Sequence, residues 1–144
     1  MVGIAAFGGS SGLVAFDGSV GNIQFASAVL EMAPQNWVRR STPAMEQNSL
    51  TGWAGSGPTD WYVATSRYDN LADSYSGSVL RWNGSGWSDT GWPFASGSGP
   101  NMPRVLASTG TGQLLGVASG GSLYRFSGGW SLLSAASGLT PHVI

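Results

Sequence analysis

Cysteine and lysine are absent from this 144-residue chain, and its only histidine is His142. The first absence excludes disulfide frameworks, thiol nucleophiles and cysteine-ligated zinc. The second excludes Schiff-base lysines and the lysine of a phosphate-binding P-loop. A lone histidine leaves no two-histidine metal site within one chain. Charge is also scarce. Asp, Glu, Lys and Arg make up 9% of the residues, against about 25% in an ordinary domain. Six arginines stand against seven carboxylates, for a net charge of −1. With no basic run, the chain has little to offer nucleic-acid phosphates or anionic lipids. The opening MVGIAAFGGSSG has no positive region before it, since the first basic residue is Arg39. Glycines break its apolar run well short of the ~20 residues that a spanning helix needs. Neither a signal peptide nor membrane insertion is expected, and a virion or extracellular setting is compatible with the composition.

Glycine and tryptophan are abundant instead. There are 23 glycines, spread along the whole chain in GG, GS, SG and NG pairs, and seven tryptophans. Glycine and proline together stay below the ~25–30% that marks low-complexity sequence, and the tryptophans call for a packed core. Short apolar runs punctuated by glycine pairs read as short strands joined by tight turns. The longest stretch free of both breakers, Thr59–Ser76, opens with Trp, Tyr, Val and Thr, which favour strand over helix. The expected fold class is all-β, with almost no helix.

An internal repeat organises these strands. Residues 29–37 read VLEMAPQNW, residues 79–87 read VLRWNGSGW, and residues 123–130 read LYRFSGGW. Each copy has two apolar residues, a charge, a large apolar residue, a turn and a tryptophan. Side chains alternate along a strand. One face therefore carries Leu30 and Met32, Leu80 and Trp82, or Tyr124 and Phe126, and the other ends in Glu31, Arg81 or Arg125. Asn83-Gly84 and Gly128-Gly129 suit the positive φ of a hairpin turn. Two further runs precede each hairpin: Val2–Phe7 and Leu13–Phe16, Ser49–Ala54 and Trp61–Arg67, Arg104–Ser108 and Gln113–Ala118. That makes four strands per repeat, with blades over about 1–41, 47–92 and 102–135. Trp37, Trp82, Trp87 and Trp130 are expected in the core by their repeat positions.

The run Trp82-Asn83-Gly84-Ser85-Gly86-Trp87 resembles the blade repeats of bacterial and bacteriophage propeller-like proteins. The resemblance implies a β-propeller that binds or scaffolds. The first copy departs from it, with Ala33-Pro34-Gln35-Asn36 in the turn. Three blades are fewer than the ~4–8 of a closed ring. Pro141-His142-Val143-Ile144 is similar to Pro103-Arg104-Val105-Leu106 and falls in register with Met1–Ile4 one cycle on. Residues 140–144 are therefore expected to start a further blade. Either the chain is a piece of a longer polypeptide that completes the propeller, or these residues pair with the first blade or with another chain, most simply as a homodimer that closes a six-bladed ring and removes the open edges.

Catalytic chemistry finds no constellation here. A serine nucleophile needs a base, and His142 is the only histidine. No two of the seven carboxylates are paired by spacing, as a glycosidase would need them ~5–9.5 Å apart. The chain carries no clean copy of the sialidase aspartate box. Asp69-Asn70-Leu71-Ala72-Asp73 lacks the ligand pattern of a calcium loop. The sequence thus predicts no enzyme, no metal and no cofactor. Recognition has better candidates. Tyr68, Asp69, Asn70, Asp73 and Tyr75 lie in an enlarged connection of the middle repeat, where the third has only Ser119-Gly120-Gly121. Trp53, Trp61 and Trp92 fall outside the repeated positions and are expected to be the tryptophans exposed for stacking. A structural or recognition module follows, at a virion or cell surface, with a glycan-binding lectin as the alternative and a propeller glycosidase third.

Overall fold

A computed structural model of the chain describes residues 2–7, 11–20, 23–33, 36–42, 45, 47–93 and 102–135. Most of them lie in twelve strands: β1 Val2–Phe7, β2 Ser11–Val20, β3 Ile23–Ala33, β4 Asn36–Arg39, β5 Ser49–Gly57, β6 Asp60–Asp69, β7 Ser74–Trp82, β8 Trp87–Asp89, β9 Pro103–Gly110, β10 Gln113–Ala118, β11 Leu123–Ser127 and β12 Trp130–Ser134. They form three four-stranded sheets, each with its strands side by side in chain order. The chain is all-β, as its glycine punctuation predicts. Residues 140–144, with His142 and the expected closing strand, lie outside the described residues. The chain divides into two compact units, Met1–Leu50 and Thr51–Ile144.

The first unit holds the first sheet. β1 pairs with β2 from Val2↔Phe16 to Phe7↔Ser11, and β2 continues against β3 as far as Val20↔Ile23. Val29 is buried, and Arg40 closes on Glu31 at 2.6 Å. Trp37 sits opposite Met32. It is the second residue of the outer strand, where Trp87 and Trp130 are the first of theirs, so the repeat alignment holds. Its expected burial does not: Trp37 is 51% exposed. The strand that carries it is four residues long and forms the edge of its sheet.

The second unit stacks the other two sheets. Pairing fixes the equivalences between them: Tyr62↔Arg81 and Ala64↔Val79 in the middle sheet match Leu115↔Arg125 and Val117↔Leu123 in the last. One face of the middle sheet offers Tyr62, Ala64 and Val79. The opposite-parity face of the last offers Leu114, Ala118 and Phe126, and these make a common core. Tyr62 and Phe126 meet edge-on at 6.1 Å. Trp92, between the sheets' strands in sequence, packs at 4.6 Å on Trp130 and 5.0 Å on Tyr124. It fits because position 116 is glycine, where a Cβ would stand 2.7 Å from the Trp92 ring and 3.0 Å from that of Trp130. The other face of the middle sheet carries the ladder Trp61–Trp82–Trp87, at 6.3 and 5.4 Å. Both faces of the repeat are thus packed. The side that bears Arg81 is apolar and buried at Val79.

Two expectations about exposure are corrected. Trp61 is 2% and Trp92 6% exposed. Trp61 stands on β6, which has a strand on either side, and Trp92 is enclosed by the aromatic residues opposite Gly116. Neither ring is open to a ligand. Trp53, on β5, is half-buried.

Candidate functional site

The enlarged connection of the middle repeat is a rigid hairpin rather than a loop. β6 and β7 stay paired through Tyr68↔Tyr75 and Asp69↔Ser74, which leaves only Asn70–Asp73 in the turn. Asp69 holds that turn together, because its Oδ1 accepts the N–H groups of Leu71 at 2.9 Å and Ala72 at 3.2 Å. Those bonds, from Ala72 and then Leu71, hold its carboxyl below the usual carboxylate range. Asp73 takes a left-handed φ of 45°, a conformation that aspartate tolerates better than most residues. The Tyr68 hydroxyl donates to Asp73, and this bond pushes its pKa up. The two tyrosine rings lie 4.7 Å apart.

The structure brings Tyr68, Asp69, Asn70, Asp73 and Tyr75 together at this tip, and sets Trp53, Trp61 and Trp92 elsewhere. Asp69, Asn70 and Asp73 are exposed here, and apolar surface is exposed among them. Tyr68 and Tyr75 are exposed, and Leu71, which the sequence reading passed over, is 100% exposed. An exposed Leu between two aspartates is an ordinary turn sequence; only the fixed geometry around it marks it out.

Sequence reasoning also missed Asp60. This buried carboxylate accepts from Arg81 Nε at 3.1 Å and Nη2 at 2.8 Å, and from the Tyr62 hydroxyl at 3.0 Å. Ser56 Oγ donates to it at 2.7 Å and the Gly112 N–H at 2.9 Å. Gly112 lies in the last sheet's β9–β10 turn, so Asp60 ties the two sheets together. Burial alone would raise its pKa, but the bonds from Ser56, Gly112, Tyr62 and Arg81 outweigh that and lower it. Burial, then the bond to Asp60 and its charge, pushes Tyr62 up to about 12. Every donor here belongs to the chain itself, so the cluster works as a fastening. Among the described residues, no three of His, Cys, Asp and Glu gather to hold a metal ion. No helix among them is long and apolar enough to cross a membrane.

No family model matches the chain, and no curated protein matches it by sequence. Solved structures do. One is YCF48 bound to D1 peptide, with a TM-score of 0.55 and 16% identity over 85% of this chain and 36% of that one. Another is YCF48 from Cyanidioschyzon merolae, with a TM-score of 0.55 and 18% identity over 86% of this chain and 36% of that one. The chain therefore spans about a third of the length of these β-propeller proteins, and its sheets are propeller-type blades.

Proposed function

We propose that this chain is a non-enzymatic recognition module, built of β-propeller blades and directed at protein partners. The observation that carries the reading is the tip of the β6–β7 hairpin. One oxygen of each exposed carboxylate is engaged within the hairpin, Asp69 by backbone N–H groups and Asp73 by the Tyr68 hydroxyl, while Leu71 stands fully exposed beside the exposed Tyr68 and Tyr75. The Asp69 and Asp73 oxygens that would bond sugar hydroxyls are thus partly engaged within the hairpin. The apolar groups that would pack on protein are free to do so. YCF48 bound to D1 peptide gives a precedent for a similar fold taking a peptide. Asp60, the most buried carboxylate, is saturated by its own donors, which favours a structural role over an acid–base one.

The finer architecture in this reading is three blades forming half of a six-bladed ring, closed by a second copy. Leu115, Val117 and Leu123 are half-buried where their counterparts Tyr62, Ala64 and Val79 are sealed. The first sheet's Leu30 and Met32 are half-buried and Trp37 is exposed. Their counterparts Tyr124, Phe126 and Trp130 are the residues with which the last sheet packs on the middle one. A head-to-tail contact would match one set to the other.

The test exposes the immobilised chain to a displayed random-peptide library and to a glycan array. Retained peptides and a silent array are expected. Glycan binding, or turnover of a chromogenic glycoside that a carboxylate substitution abolishes, would overturn the reading.

A further inference from the structure

Resting on that reading, we infer where and how the partner binds: as an added β-strand on the outer edge of β7, over Ser74–Ser78. Two independent features meet there. The first is an edge on which no described strand lies. β8 pairs with β7 only at Leu80–Trp82, and the last backbone bond between them runs from Thr90 N–H to the Val79 carbonyl at 3.0 Å. Gly91, with φ of +71°, then turns the chain away, fixed by its N–H bond to Asp89 at 2.8 Å. β7 continues for five more residues with no described strand beside it. Because the Val79 carbonyl points to that edge, period-two alternation aims the N–H and C=O groups of Gly77 and Tyr75 the same way. The stretch Ser-Tyr-Ser-Gly-Ser has no lysine, proline or bulge, the usual guards of an edge.

The second feature is an aromatic step beside that edge. By register, β10 stops at the counterpart of Thr65, and β11 starts at the counterpart of Val79. The middle hairpin therefore overhangs the last sheet. Gly77 marks the end of contact, since a Cβ there would lie 2.8 Å from Pro103 Cδ. Tyr68 and Tyr75 share the face of Ala64 and Val79 but lie beyond Pro103. Both rings are exposed and lie 4.7 Å apart. A strand added to the edge would lay every second side chain on that face, against Tyr75.

The occupant that this arrangement fits is an extended protein segment with apolar residues alternating with lysine or arginine. Backbone groups serve its main chain, and the tyrosine pair serves its apolar side chains. Asp69 and Asp73 are exposed at one end of this stretch and Asp89 at the other, with Arg67 opposite Ser76 on β6, so a basic segment is complementary and an acidic one is repelled.

The experiment uses peptides retained from the random library, presented to the full-length chain. The enriched sequences should be apolar and basic in alternation. They should slow hydrogen exchange at the Tyr75 and Gly77 amides by about tenfold or more. Tyr75→Thr, which keeps strand propensity, should weaken their binding by about tenfold, and Leu115→Thr on the last sheet's outer face should leave it unchanged. Peptides that bind but protect other amides, or that ignore Tyr75→Thr, would overturn this site and leave the recognition reading standing. Retention of no peptide at all would overturn both.

Discussion

Tyr62, Ala64 and Val79 in the middle sheet are sealed from water, while Leu115, Val117 and Leu123, at the same register positions of the last sheet, are half-buried. The two sheets have the same strand order, and their central strands are equally apolar. Residues 61–65 read WYVAT and residues 114–118 read LLGVA, without the polar alternation of a strand that has one wet face. Yet β6 is buried on both faces along its first six residues, and β10 only at every second one. Burial is therefore set by what lies against a blade, and the last sheet carries the residues of a covered face without a described cover.

Substitutions at matched positions should separate the two sheets. The largest effect is expected for Tyr62→Ala, which empties the core between the sheets and strips a donor from Asp60. It should cost about 4 kcal/mol, read by denaturant unfolding, whereas the matched Leu115→Ala should cost about 1 kcal/mol under conditions where the chain is monomeric. Equal costs would break the comparison.

Asp60→Asn comes next, at about 2–3 kcal/mol, since Arg81 keeps access to water and is left only partly stranded. It also carries a pH signature. The Asp60 pKa is lowered in the fold, so its stabilisation is present above the unfolded value near 3.8 and is lost as pH falls through the folded one. The Tyr62 pKa is raised from 10.0 to about 12. Its stabilisation is complete below pH 10 and disappears as pH rises through about 12. Stability scanned against pH should fall at both ends, and Asp60→Asn should flatten the acid side. An unchanged acid limb would assign acid unfolding to other carboxylates.

The smallest effect is expected at the overhanging tip. Leu71→Ser should change stability by less than about 0.5 kcal/mol, because the side chain is fully exposed and buries nothing in the free chain. A thermal melt checks this, and a larger loss would mean that the tip packs on something in solution.

The repeat was legible because hairpin chemistry is local. Asn83-Gly84 and Gly128-Gly129 sit in their turns, with φ of +95° at Gly84 and +74° at Gly128. Trp37, Trp87 and Trp130 start or nearly start the outer strands. Tryptophan exposure was not legible, because it depends on partners distant in sequence. Trp92 is hidden beside a glycine 24 positions on, and Trp37 is exposed although it stands on an edge strand just as the half-buried Trp87 and Trp130 do. Asp60 gave no local sign either: its five donors come from Ser56, Tyr62, Arg81 and Gly112, spread over three strands and a turn. At the tip, the tyrosines and aspartates were identified by composition. The bonds that tie those aspartates to the turn and to Tyr68 needed the register of β6 on β7.

The central claim, that the last sheet's outer face is built to be covered, is most directly tested by light scattering on the purified chain at micromolar concentration. A mass of twice 14.8 kDa is expected, reduced to a single chain by Leu115→Asp with the circular dichroism of the strands intact. A wild-type chain that is a stable monomer, with the same mass and melting curve after Leu115→Asp, would contradict it.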